Sequence, residues 1–121
     1  IIDYIKKVKP PYNINSLTEK KAINSISKYY VNSNRVNETI VERINLSEKL
    51  IKINSVKKVF PSNSNFILVE FNDANKIYQQ LIQNKIVVRN RSNVVGCSNC
   101  LRITVGTPEQ NQLLIKTLKN L

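Results

Sequence analysis

The chain has 121 residues, enough for one modest domain with its own core. It carries a net charge of +11, no His, no Met and only two Gly. That composition excludes histidine-based acid–base chemistry and a glycine-rich phosphate loop, and no apolar run approaches the roughly 20 residues of a membrane span.

Residues 1–9 read as the tail of a helix, ended by Lys9-Pro10-Pro11 because proline disfavours helical geometry in the residue before it. The opening on Ile1-Ile2-Asp3-Tyr4-Ile5 and the lack of Met point to a fragment of a longer protein, and nothing resembles a signal peptide. Tyr12-Asn13-Ile14-Asn15 is an extended linker, and Ser16-x-x-Glu19 has capping-box form. The helix that follows places Ala22, Ile23, Ile26, Tyr29 and Tyr30 on one stripe, until Asn32-Ser33-Asn34 breaks the pattern. A second helix is expected from about Val36 to Asn54, with Val36, Ile40, Ile44 and Ile51 repeating at helical spacing and Val41 and Leu50 beside them.

Val56 to Phe60 is a short strand, and Pro61-Ser62-Asn63-Ser64 a turn. Asn65 to Phe71 is the clearest strand; it is apolar on both faces and therefore central. Asn72-Asp73 caps a helix with Ala74, Ile77, Tyr78, Leu81 and Ile82 on one stripe, ending near Asn84-Lys85. Ile86 to Arg89 is a strand ending at an arginine, and residues 90–99 form a polar loop. Cys100 to Val105 alternates apolar Leu101, Ile103 and Val105 with Arg102 and Thr104. Gly106 permits a turn, Thr107-x-x-Gln110 is a second capping box, and Pro108 suits the first helical position. The last helix puts Leu114, Leu118 and Leu121 on one face. The element order gives an α+β fold with a small mixed or antiparallel sheet and helices packed on one face.

The chemistry-bearing residues are few. Arg89 and Arg102 stand in or at the end of predicted strands, and on neighbouring strands both heads reach one phosphate or carboxylate. The competing role for Arg102 is an ion pair with Glu70 or a solvent-facing edge; Arg91 is a third, loop-borne candidate. Cys97 and Cys100 form one Cys-x-x-Cys, half a zinc site with no His to complete it. A strand follows where a thioredoxin-like motif opens a helix, so both are read as reduced loop-end thiols. The lysines are dispersed apart from Lys6-Lys7-Lys9, and aromatic residues do not interleave with them, so charge alone is a weak nucleic-acid footprint.

Several blocks carry a family resemblance. Cys100-Leu101-Arg102-Ile103-Thr104-Val105-Gly106-Thr107-Pro108-Glu109 resembles the C-terminal motif of histidinol-phosphate aminotransferases. Lys9-Pro10-Pro11-Tyr12-Asn13-Ile14-Asn15, the run from Val59-Phe60-Pro61 to Leu68-Val69, and Ile86-Val87-Val88-Arg89 occur in the family's order, so the likeness covers nearly the whole chain. It departs at Lys85, where the family usually has Gly, and at Glu48-Lys49, where a Glu-Arg pair is common; Cys97 matches nothing in it.

The resemblance implies the C-terminal small domain of a fold type I, pyridoxal-phosphate-dependent transferase. Residues 1–15 would be the end of a large-domain helix and an interdomain linker, and residues 16–121 the small domain. The parent would interconvert L-histidinol phosphate and 2-oxoglutarate with imidazole-acetol phosphate and L-glutamate, in histidine biosynthesis, as a cytoplasmic homodimer with no nucleic-acid or membrane partner. Arg102 would grip the substrate anion and Arg89 would assist. Asn65, Tyr12 and Asn13 would be substrate-proximal or hinge residues. The cofactor and its Schiff-base lysine would belong to the large domain, so no catalytic residue and no metal ligand is expected here. The alternatives are another aminotransferase of the same fold, such as one for aromatic amino acids, a related phospho-amino-acid lyase, and, in a different class, a basic α+β module binding RNA or another polyanion.

Overall fold

The structure, a computed structural model, describes residues 1–9 and 14–121, without the side chains of residues 29–33. It divides into two compact units, Ile1–Asn34 and Arg35–Leu121.

The first unit holds α1 (Ile2–Val8), α2 (Ser16–Ile26) and the first turns of α3 (Tyr29–Leu50). Lys9 is extended at φ −66° and ψ 130°, as the proline after it demands. The Pro10-Pro11 break and the expected linker residues Tyr12 and Asn13 lie outside the described residues. The cap of α2 is Asn15 rather than Ser16: its side chain accepts from the Thr18 N–H at 2.8 Å. Asn and Ser cap about equally well, so the capping-box pattern alone did not choose between neighbours. Nor does the helix break at residues 32–34. It breaks at Ser27-Lys28, where the Ser27 hydroxyl donates to the Asn24 carbonyl and the Lys28 N–H reaches back to Ser25, and α3 then runs through Asn32-Ser33-Asn34. Each Asn or Ser disfavours helix by only about 0.5 kcal/mol, which continuous helical bonding overcomes. Neither α1 nor α2 has a buried residue, and Ile5, Leu17, Ile23 and Ile26 are all exposed.

The second unit is the packed α+β body. Its sheet has four strands, β1 (Val56–Val59), β2 (Phe66–Phe71), β3 (Arg89–Asn90) and β4 (Cys100–Thr104), in the order β1-β2-β4-β3. Every adjacent pair is antiparallel. With α4 (Ala74–Gln83) and α5 (Pro108–Lys119) the element order matches the expectation, and β2 is central as its two apolar faces require. One face is covered. Ile67, Val69 and Phe71 of β2 and Leu101 and Ile103 of β4 pack with Leu46 and Leu50 of α3, Ala74, Ile77 and Leu81 of α4, and Leu114, Ile115 and Leu118 of α5.

Two expected stripes are displaced. Val36, Ile40, Val41, Ile44 and Ile51 are exposed; of the residues expected on that apolar face Leu50 is buried, and Leu46 joins it in the core. In α5, Ile115 replaces Leu121 in the core. The third strand also differs: Ile86 to Val88 is unpaired extended chain packed on the core through Ile86 and Val88, and pairing begins at Arg89. Asn90 holds it there, donating to Asn75 of α4 at 2.7 Å and accepting from the Ser92 N–H at 2.9 Å.

The end of α4 explains how Lys85 is tolerated. The Lys85 N–H bonds the Ile82 carbonyl at 2.9 Å and the Ile86 N–H bonds Leu81 at 2.9 Å, the paired bonds of a Schellman turn, with Lys85 at φ +61°. Ile86 then packs on the cluster that contains Leu81. A side chain with a Cβ is strained in this left-handed region. Lys85→Gly is expected to stabilise the protein by about 0.5–1 kcal/mol in denaturant unfolding, whereas Lys85→Ala, which keeps the Cβ, leaves the midpoint unchanged.

Candidate functional site

The uncovered face of the sheet is built by the register. Leu68 of β2 lies opposite Arg102 of β4, and Arg102 lies opposite Arg89 of β3. The three form one row across the sheet, on the opposite parity from buried Leu101 and Ile103. The structure thus brings together the two arginines singled out by the sequence. Glu70, the competing partner, shares this face two positions along β2 from the Arg102 row, opposite Cys100 and Lys58.

Arg102 is half-buried, and Phe66 is its platform: the guanidinium carbon lies 4.9 Å from the ring centroid. Such a contact is worth about 0.5–2 kcal/mol. Its Nε is buried and has no hydrogen-bond partner. A buried guanidinium donor without an acceptor is costly, on the order of 1–3 kcal/mol.

Arg91 belongs nearer the site than a loop position suggested. Its N–H bonds the Cys100 carbonyl at 2.9 Å, extending the β3–β4 ladder, and its i+2 spacing from Arg89 gives both the same parity. The Arg-x-Arg spacing was the available signal for it, and no spacing marked Phe66 as the platform. Asn65 contributes main chain: its carbonyl accepts from the Val105 N–H at 2.9 Å, and its parity is that of Ile67, not of Phe66. Tyr12 and Asn13 lie outside the described residues.

Just beyond Arg102, the end of β4 is locked by side chains. The Asn111 amide is buried; its Oδ1 accepts from the Gly106 N–H at 2.9 Å, and its Nδ2 donates to the Gly106 carbonyl at 3.1 Å and to Glu42 Oε2 of α3 at 2.8 Å. The capping box forms as the sequence indicates: the Thr107 N–H bonds Gln110 Oε1 at 3.0 Å, and the Gln110 N–H bonds Thr107 Oγ1 at 3.4 Å. A Cβ on Gly106 would stand 2.6 Å from Gln110 Oε1 and 2.9 Å from Gln110 Cβ. Glu109, in the first turn of α5, has its carboxyl held below the usual carboxylate range by its own backbone N–H and the Thr107 hydroxyl.

No group of three or more His, Cys, Asp or Glu stands where it would hold a metal ion among the described residues. Nor is any helix of the described residues long and apolar enough to cross a membrane.

The sheet thus carries α3, α4 and α5 on one face and the arginine row on the other. The chain belongs to the aminotransferase class I and II family, which matches residues 1–118. Among curated proteins it is 48% identical over 121 residues to a histidinol-phosphate aminotransferase of Flavobacterium psychrophilum, covering all of this chain and 35% of that protein. It is 46% identical, with the same coverage, to one of Christiangramia forsetii. The crystal structure of the histidinol-phosphate aminotransferase from Clostridium acetobutylicum superposes with a TM-score of 0.81 at 29% identity, over 96% of this chain and 36% of that one. L-threonine-O-3-phosphate decarboxylase from Porphyromonas gingivalis superposes with a TM-score of 0.59 at 28% identity, over 64% of this chain and 25% of that one. The chain therefore spans about a third of the length of the curated relatives it matches.

Family membership implies pyridoxal phosphate as the cofactor. The residues present here do not fit it: every lysine is exposed, so none sits in an enclosed site where its amine would be desolvated for carbonyl chemistry.

Gly106→Ala is expected to cost about 1–2 kcal/mol in denaturant unfolding, because Gln110 must leave the capping box. Glu109 stabilises the fold when ionised, so its contribution is present above the ordinary carboxylate pKa and lost as pH falls through its lowered value. The melting temperature of wild type minus that of Glu109→Gln is expected to be positive at neutral pH and to shrink toward zero in acid.

Proposed function

We propose that this chain is the C-terminal small domain of a pyridoxal-phosphate-dependent histidinol-phosphate aminotransferase. Residues 1–15 are the end of a large-domain helix with its linker, and residues 16–121 the small domain. The whole protein interconverts L-histidinol phosphate and 2-oxoglutarate with imidazole-acetol phosphate and L-glutamate, as a cytoplasmic homodimer. The names of the curated relatives support the reading, as does the share of their length that the chain spans. Apolar surface left open on α1, α2 and the outer face of α3 is what a domain that packs against the rest of a larger protein has to offer.

The observation that carries the role of this segment is the Arg89–Arg102 row, with the orphaned Nε of Arg102. Arg102 binds and orients the substrate anion, and Arg89 adds a second guanidinium where that anion is a phosphate. The two guanidiniums offer donors in a rigid fork and no acceptor, so they bind and orient the anion rather than act on it as a base. The cofactor, supplied by the rest of the protein, is the electron sink of the reaction.

The test uses the full-length protein. Arg102→Ala is expected to lower kcat/KM for amino transfer from glutamate to imidazole-acetol phosphate by about 30- to 1,000-fold, the loss of one charge-assisted anion contact worth roughly 2–4 kcal/mol. Arg89→Ala should cost less, and chiefly with the phosphorylated substrate. Preference for phenylpyruvate would instead identify an aromatic aminotransferase. The likeness to a phosphothreonine decarboxylase gives the second reading, and carbon dioxide release from threonine phosphate without amino transfer would establish it.

A further inference from the structure

The thiols of Cys97 and Cys100 are the chemical groups that the arginine site does not use. They stand at the corners of one turn: the Cys100 N–H bonds the Cys97 carbonyl at 3.1 Å. A four-residue turn closed in this way brings its end Cα atoms within about 7 Å, the span a disulfide needs. Asn99 makes the turn possible at φ +53°, a conformation Asn accepts more readily than most residues. It is also tied into the fold, since the Phe71 N–H bonds its carbonyl at 2.9 Å. The Cys100 thiol donates to the Ser98 carbonyl at 3.4 Å, which turns the sulfur back over the turn rather than along β4.

The two sulfurs differ in access. Cys100 is buried at 1% exposure, whereas Cys97 is half-buried at the end of a loop that includes exposed Val95 and Gly96. Both are free thiols in this structure. Burial, then the neighbouring Cys97 and then Glu70 across the β2–β4 ladder push the Cys100 thiol up from its ordinary value. Cys97 is therefore the attacking sulfur and Cys100 the resolving one.

We propose that Cys97 and Cys100 are a redox-active dithiol that closes to an internal disulfide by exchange with a low-molecular-weight disulfide. The Cys97 thiolate attacks one sulfur of the small disulfide. That sulfur–sulfur bond breaks, and one small thiolate leaves and takes up a proton. The Cys100 thiol then loses its proton to solvent and attacks Cys97 Sγ, expelling the second small thiolate. Two electrons pass from the protein thiols to the small disulfide, giving one protein disulfide and two small thiols. The modified turn leads directly into the strand that carries Arg102, but its closure does not depend on what Arg102 binds.

The test exposes the intact protein to excess oxidised glutathione, quenches in acid, alkylates free thiols with iodoacetamide and weighs the peptide spanning both cysteines. The expected result is loss of both alkylatable thiols, a mass lower by two hydrogens, and full reversal by dithiothreitol. Cys100→Ala is expected to trap glutathione on Cys97, and Cys97→Ser to give neither a disulfide nor an adduct. The proposal is overturned if wild type keeps both thiols alkylatable, holds an unresolved glutathione adduct, or forms only disulfides between chains. An adduct on Cys100 in Cys97→Ser overturns the assigned order. No outcome depends on amino-transfer activity, so failure here and failure of the arginine reading are separate results.

Discussion

The pairing register of β2 with β4 is the constraint on which the rest of the structure depends. Ile67 faces Ile103 and Val69 faces Leu101 across the centre of the sheet, and all four side chains are buried against helices. Side chains alternate along a strand, so a slip of one residue would drive Arg102 into that core and turn Leu101 and Ile103 out to solvent. An unpaired guanidinium in an apolar interior is far more costly than any alternative contact nearby would return. The core therefore fixes the register, and the register in turn fixes which residues share the open face: Phe66 and Leu68 from β2, Arg102 from β4 and Arg89 from β3.

That dependence reaches beyond the sheet. Asn111 closes both backbone groups of Gly106 and also binds Glu42, which lies 69 residues earlier on α3. One buried amide thus couples the end of the arginine strand, the start of α5 and the middle of α3. Arg43 adds a second tie from α3, donating to the Ser64 carbonyl at 3.0 Å in the turn before β2. The two strands at the centre of the sheet are thereby held at one end by side chains of the same helix. The precision of the arginine row owes as much to these long-range bonds as to the ladder itself.

What the sequence made legible was local and periodic. Thr107-x-x-Gln110 with Pro108 formed the capping box it encodes, the alternation through Leu101, Ile103 and Val69 marked the sheet core, and Asp73 capped α4 with its side chain accepting from Lys76 at 2.9 Å. What it hid depended on partners distant in the chain. Val36, Ile40 and Ile44 repeat at helical spacing as well as any core stripe, yet it is Leu50, beside that stripe, and Leu46, outside it, that join the core. Periodicity reports that a face is apolar and cannot say what covers it. Likewise, Ile86 to Val88 has the composition of a strand, but Asn90, anchored to Asn75, sets where pairing with β4 begins. At the arginine site the residue types were readable, while the role of Phe66 was not, because its ring meets Arg102 only through the register of β2 with β4.

The choice of arginine at position 102 follows from where it has to stand. A lysine ammonium is a compact, strongly hydrated charge that resists lying on an aromatic ring within a half-covered sheet. A guanidinium is planar and more weakly hydrated, so it can spread over Phe66 and still present a fork of donors. A carboxylate and a phosphate oxygen pair meet the same fork with the same geometry. The guanidinium of Arg102 is thus held by an aromatic face with its Nε left without a protein acceptor, and a second arginine stands one strand away.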